Sequence, residues 1–112
     1  MLDVTPLLTA VERCADRLRA MPQSALTRGA AAGGLALARE LARRSQCLEF
    51  PGRAPRELPD AGVFAVGDQL AVAGHDLAEA LRTAGTAAEL AEAVALVEAA
   101  EAAGNGTLRG RR

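Results

Sequence analysis

His75 is the only histidine in the 112 residues, which makes it the first position to consider for acid–base or metal chemistry. On a helix it stands one turn before Glu79 and two turns after Asp68, with Asp76 adjacent. A His and a Glu four residues apart share a helix face and can reach one cation. A metal site in a bundle needs three or four such ligands, however, and the paired Glu-x-x-His units of di-iron bundles are missing. The spacing therefore predicts an exposed His–Glu pair and no metal.

Cys14 and Cys47 are the two thiols. Cys14 falls on an apolar helical stripe, where a thiol is buried and inert. Cys47 follows Arg43 and Arg44, whose charge favours a thiolate, but it sits past a predicted helix C-terminus, where the dipole opposes one. With one His, two Ser, no Lys and no Tyr, the chain has few groups that move protons or attack electrophiles. Gly33-Gly34 follows no strand and precedes no lysine, so a phosphate loop is excluded. No enzyme activity and no cofactor are expected. Arg109, Arg111 and Arg112 offer some attraction for phosphate, but Phe50 and Phe64 are the only rings and leave no stacking platform. Nucleic acid is thus an unfavoured partner.

The bulk numbers agree with a folded, unspecialised chain. Hydrophobic residues make up 50% and the formal net charge is −1, which argues against disorder. The N-terminal stretch lacks a basic start and a pure apolar core, and no segment approaches the roughly 20 apolar residues of a membrane span. The expectation is a cytoplasmic protein with reduced thiols and no membrane contact. A Cys14–Cys47 disulfide stays open as a minor alternative. The near-zero charge conceals a division: residues 1–59 sum to +3, residues 60–103 to −7, and the last nine to +3. Two explanations follow: attraction between the halves of one fold, or an acidic surface that meets a basic partner or the basic face of another copy.

Four segments must position these residues. Thr5-Pro6 opens the first helix, with the threonine as cap, and Leu7, Val11, Cys14, Leu18 and Met21 trace its stripe at spacings of three and four. The first helix is expected over 5–21. Ser24 caps a second over 24–45, which contains Gly29, Gly33 and Gly34, the last two on its small-residue arc. Glycines cost roughly 1 kcal/mol each inside a helix, so they imply close approach of another backbone. Gly29 and Gly33 also form a small-xxx-small pair, suited to packing within the domain or to a homodimer seam. From Gln46 to Pro59, prolines at 51, 55 and 59 break the pattern into a long connection. It allows the flanking helices to be antiparallel, or parallel with a crossover. Asp60 is the expected cap of a third helix over 60–83, with Val63, Gly67, Leu70, Gly74, Leu77 and Leu81 in its seam. A β-hairpin over 63–73 is the rival, disfavoured because the stripe continues unbroken. Thr86-x-x-Glu89 is a capping box for a fourth helix over 86–103, ended by Gly104-Asn105-Gly106.

The expected fold is all-α: a four-helix, bundle-like single domain over residues 1–104, with 105–112 as a flexible basic tail. The functional expectation is a non-enzymatic interaction module working through helix–helix contacts, as a homodimer or with another protein. Its contact residues would be Gly29, Gly33, Gly34, Gly67 and Gly74. The alternative is a small-ligand bundle or small enzyme, with a pocket walled by Phe50, Phe64, His75 and the 46–59 loop.

Overall fold

The computed structural model describes residues 2–109, with side chains through Gly104. It is an all-α single domain of four long helices, and no strand occurs among the described residues. The helix α1 spans Thr5–Ala20 and buries Leu7, Val11 and Leu18 of the expected stripe together with Ala10 and Ala15, while Cys14 is half-buried and Met21 lies just past its end. Its cap differs by one position. Thr5 is the first helical residue, and its N–H is accepted by the Asp3 carboxylate at 3.0 Å. The threonine's role passes to the acid two residues upstream.

The second predicted helix is broken near its start. A single turn, α2 (Gln23–Ala25), leads into a wider π-type turn over Leu26–Ala30, and the long helix α3 then runs over Ala31–Glu49. The break lies at Gly29, whose φ of 157° and ψ of −19° leave helical space. A glycine is favoured there because that φ lies outside the range L side chains usually adopt. Downstream, α3 continues four residues past the expected end, since nothing stops it before Pro51; Phe50, the residue preceding proline, takes φ −133°. Cys47 therefore stands on the last turns of α3 rather than in a loop.

The connection Phe50–Gly62 is a crossover. It returns along α3, where Arg39 donates to the Leu58 carbonyl at 2.8 Å and the Gln46 side chain pairs with the backbone of Arg56. Asp60 does not cap a helix; its carboxylate accepts the Gly62 N–H at 2.9 Å and closes a turn in which Gly62 has φ 96°. A 3-10 turn, Val63–Ala65, follows, and α4 occupies Val66–Ala84. The last helix, α5, spans Ala87–Arg109. At its start the Thr86 N–H donates to Glu89 at 2.9 Å and the Glu89 N–H to the Thr86 hydroxyl at 3.1 Å, the capping box legible in the sequence. This helix passes through Gly104-Asn105-Gly106, where a stop was expected; a glycine inside a helix costs only roughly 1 kcal/mol and does not by itself end one. Of the expected basic tail, residues 110–112 lie outside the described residues.

Long-range pairs fix the directions. Gly74 lies against Val11 and Gly67 against Ala15, so α1 and α4 are antiparallel. Gly34 meets Val66 at one end of α3, while Leu48 shares a cleft with Leu81 at the other, so α3 and α4 run parallel. Both α1 and α3 pack along both α4 and α5. The basic helices thus alternate with the acidic ones around the bundle. Arg13 and Arg17 reach Glu101, Arg19 reaches Asp68, and Arg44 reaches Glu92. Much of the charge division along the chain becomes attraction between neighbours. Between the helices, Leu7, Leu41, Leu70, Leu77, Leu81, Val11, Val66 and Val97 are fully buried, and alanines fill the rest of the core.

Candidate functional site

Three of the five predicted contact glycines lie in internal seams. A Cβ at Gly34 would stand 2.8 Å from Val66 and 2.9 Å from Leu18, one at Gly67 would stand 3.1 Å from the Ala15 carbonyl oxygen, and one at Gly74 would strike the Val11 methyls. Gly29 and Gly33 are exposed with nothing within 4 Å. The Gly29–Gly33 pair is also split by the π-type turn, so it forms no continuous helical seam.

The residues grouped as a pocket wall are dispersed. Phe50 ends α3, 48% exposed, with the Arg53 guanidinium 4.9 Å from its ring centroid. Phe64 precedes α4, near the opposite end of α3 and on the order of 20 Å away by helical rise. His75 lies on α4 and bonds Glu12 of α1 at 2.7 Å, across the seam rather than to Glu79 on its own helix. Among the described residues no group of three or more His, Cys, Asp or Glu is placed to hold a metal ion. No helix among them is long and apolar enough to cross a membrane.

Two surface features remain. The first is a cleft of about 320 Å³ where the C-terminal turns of α3 and α4 meet the start of α5. Leu48, Leu77, Leu81 and Ala93 line its apolar part, and Arg43, Arg44, Cys47, Glu89 and Glu92 its polar part. Its charges are engaged internally. Arg43 and Arg44 bond Glu40 at 2.6 and 2.7 Å, and Arg44 also approaches Glu92 at 3.6 Å. These guanidiniums, Arg43 foremost, hold the Glu40 carboxyl down at about 2. Cys47 is exposed, and its sulfur lies 4.0 Å from Arg43. The other thiol, Cys14, is half-buried on α1; burial and the Glu101 carboxylate push it up, keeping it protonated.

Glu40 yields a pH prediction. Its carboxyl is depressed in the folded state from an ordinary 4.5, so its stabilising contribution is present above pH 4.5 and drains away as pH falls towards 2. Glu40→Gln is expected to lower the melting temperature at pH 7 and to converge with the parent near pH 2. Melting curves recorded between pH 7 and 2 check this; parallel curves at every pH would contradict it.

The second feature is the outer ridge of α4. Phe64 is 68% and Val72 62% exposed, the most exposed large apolar residues described. Asp68, His75, Asp76 and Glu79 share the same solvent-facing arc. The helical phase explains the arrangement on α4: Leu70, Gly74, Leu77 and Leu81 take the inward face, which leaves positions 68, 72, 75, 76 and 79 outward, while Phe64 is exposed in the 3-10 turn that leads into the helix. Arg19 of α1 borders the ridge, bonding Asp68 at 2.9 Å and Asp16 at 3.0 Å. Both acids raise the Arg19 guanidinium above its ordinary value.

Comparisons with protein-family models, with curated proteins and with solved structures find no match to this chain.

Proposed function

We propose that this chain is a non-enzymatic helical interaction module whose contact surface is the outer ridge of α4. The observation that carries the reading is the exposure of two large apolar side chains, Phe64 at the entry to α4 and Val72 on its outer face. Each leaves apolar surface in water at roughly 25 cal/mol per Å², a cost that a docked helix relieves. The internal use of Gly34, Gly67 and Gly74 supports this choice of surface, because those small residues are already covered by the fold. The cleft beside Cys47 is the lesser candidate, since its arginines are already paired with Glu40 and Glu92.

Site-specific photo-crosslinking in cells tests the proposal. A photoreactive residue at Val72 or Phe64 is expected to give one discrete protein adduct, and the same residue at exposed Ala99 of α5 none. Adducts of equal yield from all three positions, or from none, would overturn the reading.

A further inference from the structure

Resting on that contact surface, we infer that its occupant is a basic amphipathic helix of another protein, rather than a second copy of this chain. Phe64, in the 3-10 turn that enters α4, and Val72 are eight residues apart, roughly 12–13 Å at rises of about 1.5–2.0 Å per residue. Asp68 lies between them, and Asp76 and Glu79 continue the arc. The adjoining edge of α1 adds Glu12 and Asp16, which Arg19 approaches at 4.0 and 3.0 Å. Arg19 also serves Asp68, Arg82 pairs with Glu79 at 3.3 Å, and His75 takes up Glu12. Five carboxylates thus meet two guanidiniums and one imidazole, and the excess is negative. Asp76 has no ion pair among the described residues.

This charge decides between occupants. A two-fold dimer through the ridge sets the same patch against itself, bringing Asp68, Asp76 and Glu79 towards their own copies. Facing like charges weaken that pairing. A helix with apolar residues seven or eight apart, flanked by arginines, covers Phe64 and Val72 while its guanidiniums meet the carboxylates two oxygens at a time. The ridge is narrow, which places the complex among small, exchanging interfaces, with binding that falls as salt screens the charges.

Two fluorescein-labelled synthetic helices provide the probe, each with leucine at every seventh position, one flanked by arginine and the other by glutamate. In anisotropy titrations at low salt the arginine helix is expected to bind at least tenfold tighter than the glutamate helix. Phe64→Ser and Asp76→Arg are each expected to weaken it at least tenfold, with helicity retained in circular dichroism because both positions are exposed. Glu98→Arg on α5 makes the same change in net charge away from the ridge and is expected to leave binding within twofold. Equal losses from Glu98→Arg and Asp76→Arg would overturn the inference by showing attraction to charge alone. If the glutamate helix binds tighter and Phe64→Ser abolishes that binding, the contact surface stands but its basic partner does not. A dimer in sedimentation that Phe64→Ser dissociates has the same meaning. Binding of the arginine helix that ignores Phe64→Ser would overturn both the partner and the surface.

Discussion

Leu70→Ala is expected to remove about 3 kcal/mol of stability, within the roughly 2–5 kcal/mol range for a buried leucine. Leu70 is 0% exposed, midway along α4, the helix that packs against both α1 and α3. The cost has two parts, the lost transfer of the deleted carbons and the cavity left behind. The second part is large when neighbours cannot move in. The core it belongs to is rich in short side chains: Ala10, Ala15, Ala38, Ala71, Ala73 and Ala78 are buried, and an alanine has no rotamer with which to fill a hole. A domain of this size is stable by roughly 5–15 kcal/mol, so the substitution removes a substantial share. Urea unfolding of parent and variant measures it; a loss below about 1 kcal/mol would mean that the helices close up, and that the core is less rigid than its packing implies.

Gly74→Ala and Gly33→Ala should move stability in opposite directions, although both replace a glycine inside a helix. Helix propensity alone favours each by roughly 1 kcal/mol. Gly33 is exposed on α3 with nothing within 4 Å, so it should realise that gain. At Gly74 the new methyl meets the methyls of Val11, itself 0% exposed, and a β-branched side chain on a helix has one strongly preferred rotamer. Over-packing of this kind costs about 1–3 kcal/mol, enough to reverse the sign. Adding Val11→Ala should relieve the clash, so the double variant is expected to lose less than the two single losses combined. Thermal melts of the four proteins decide the matter. Stabilisation by Gly74→Ala would show that α1 and α4 can separate freely, contrary to a tight seam.

Periodicity in the sequence carried most of the fold because helices are local. Leu7, Val11, Cys14 and Leu18 repeat at three and four, and so do Gly67, Leu70, Gly74, Leu77 and Leu81. Thr86 and Glu89 reveal their cap because both partners lie within one turn. Other features depend on distant atoms or backbone angles. Gly29 reads as a seam residue from its neighbours, whereas its role is set by a φ that composition does not encode. His75 has Glu79 one turn away, yet its partner Glu12 comes from a helix 63 residues earlier. The parallel course of α3 and α4 was one of two options that a crossover of that length permits. The exposed ridge left a usable signal. Phe64 is in phase with Asp68 and His75, not with Leu70 and Leu77, so counting its phase would have placed the ring outside. Hydrophobicity alone suggested a pocket wall.

The order of helices around the bundle also bears on how the chain reaches this state. Both α1 and α3 pack along α4 and α5, so the main packing partners of each N-terminal helix lie beyond the crossover in sequence. A nascent chain ending at Glu49 has neither of the helices that cover Leu7, Val11 and Leu41. A helical hairpin that zips up locally is therefore not the nucleus here. Docking the first half therefore requires closing the long loop, and folding is expected to be slower than in bundles whose successive helices pair side by side. Until the second half leaves the ribosome, the apolar faces of the first remain open to whatever else is nearby.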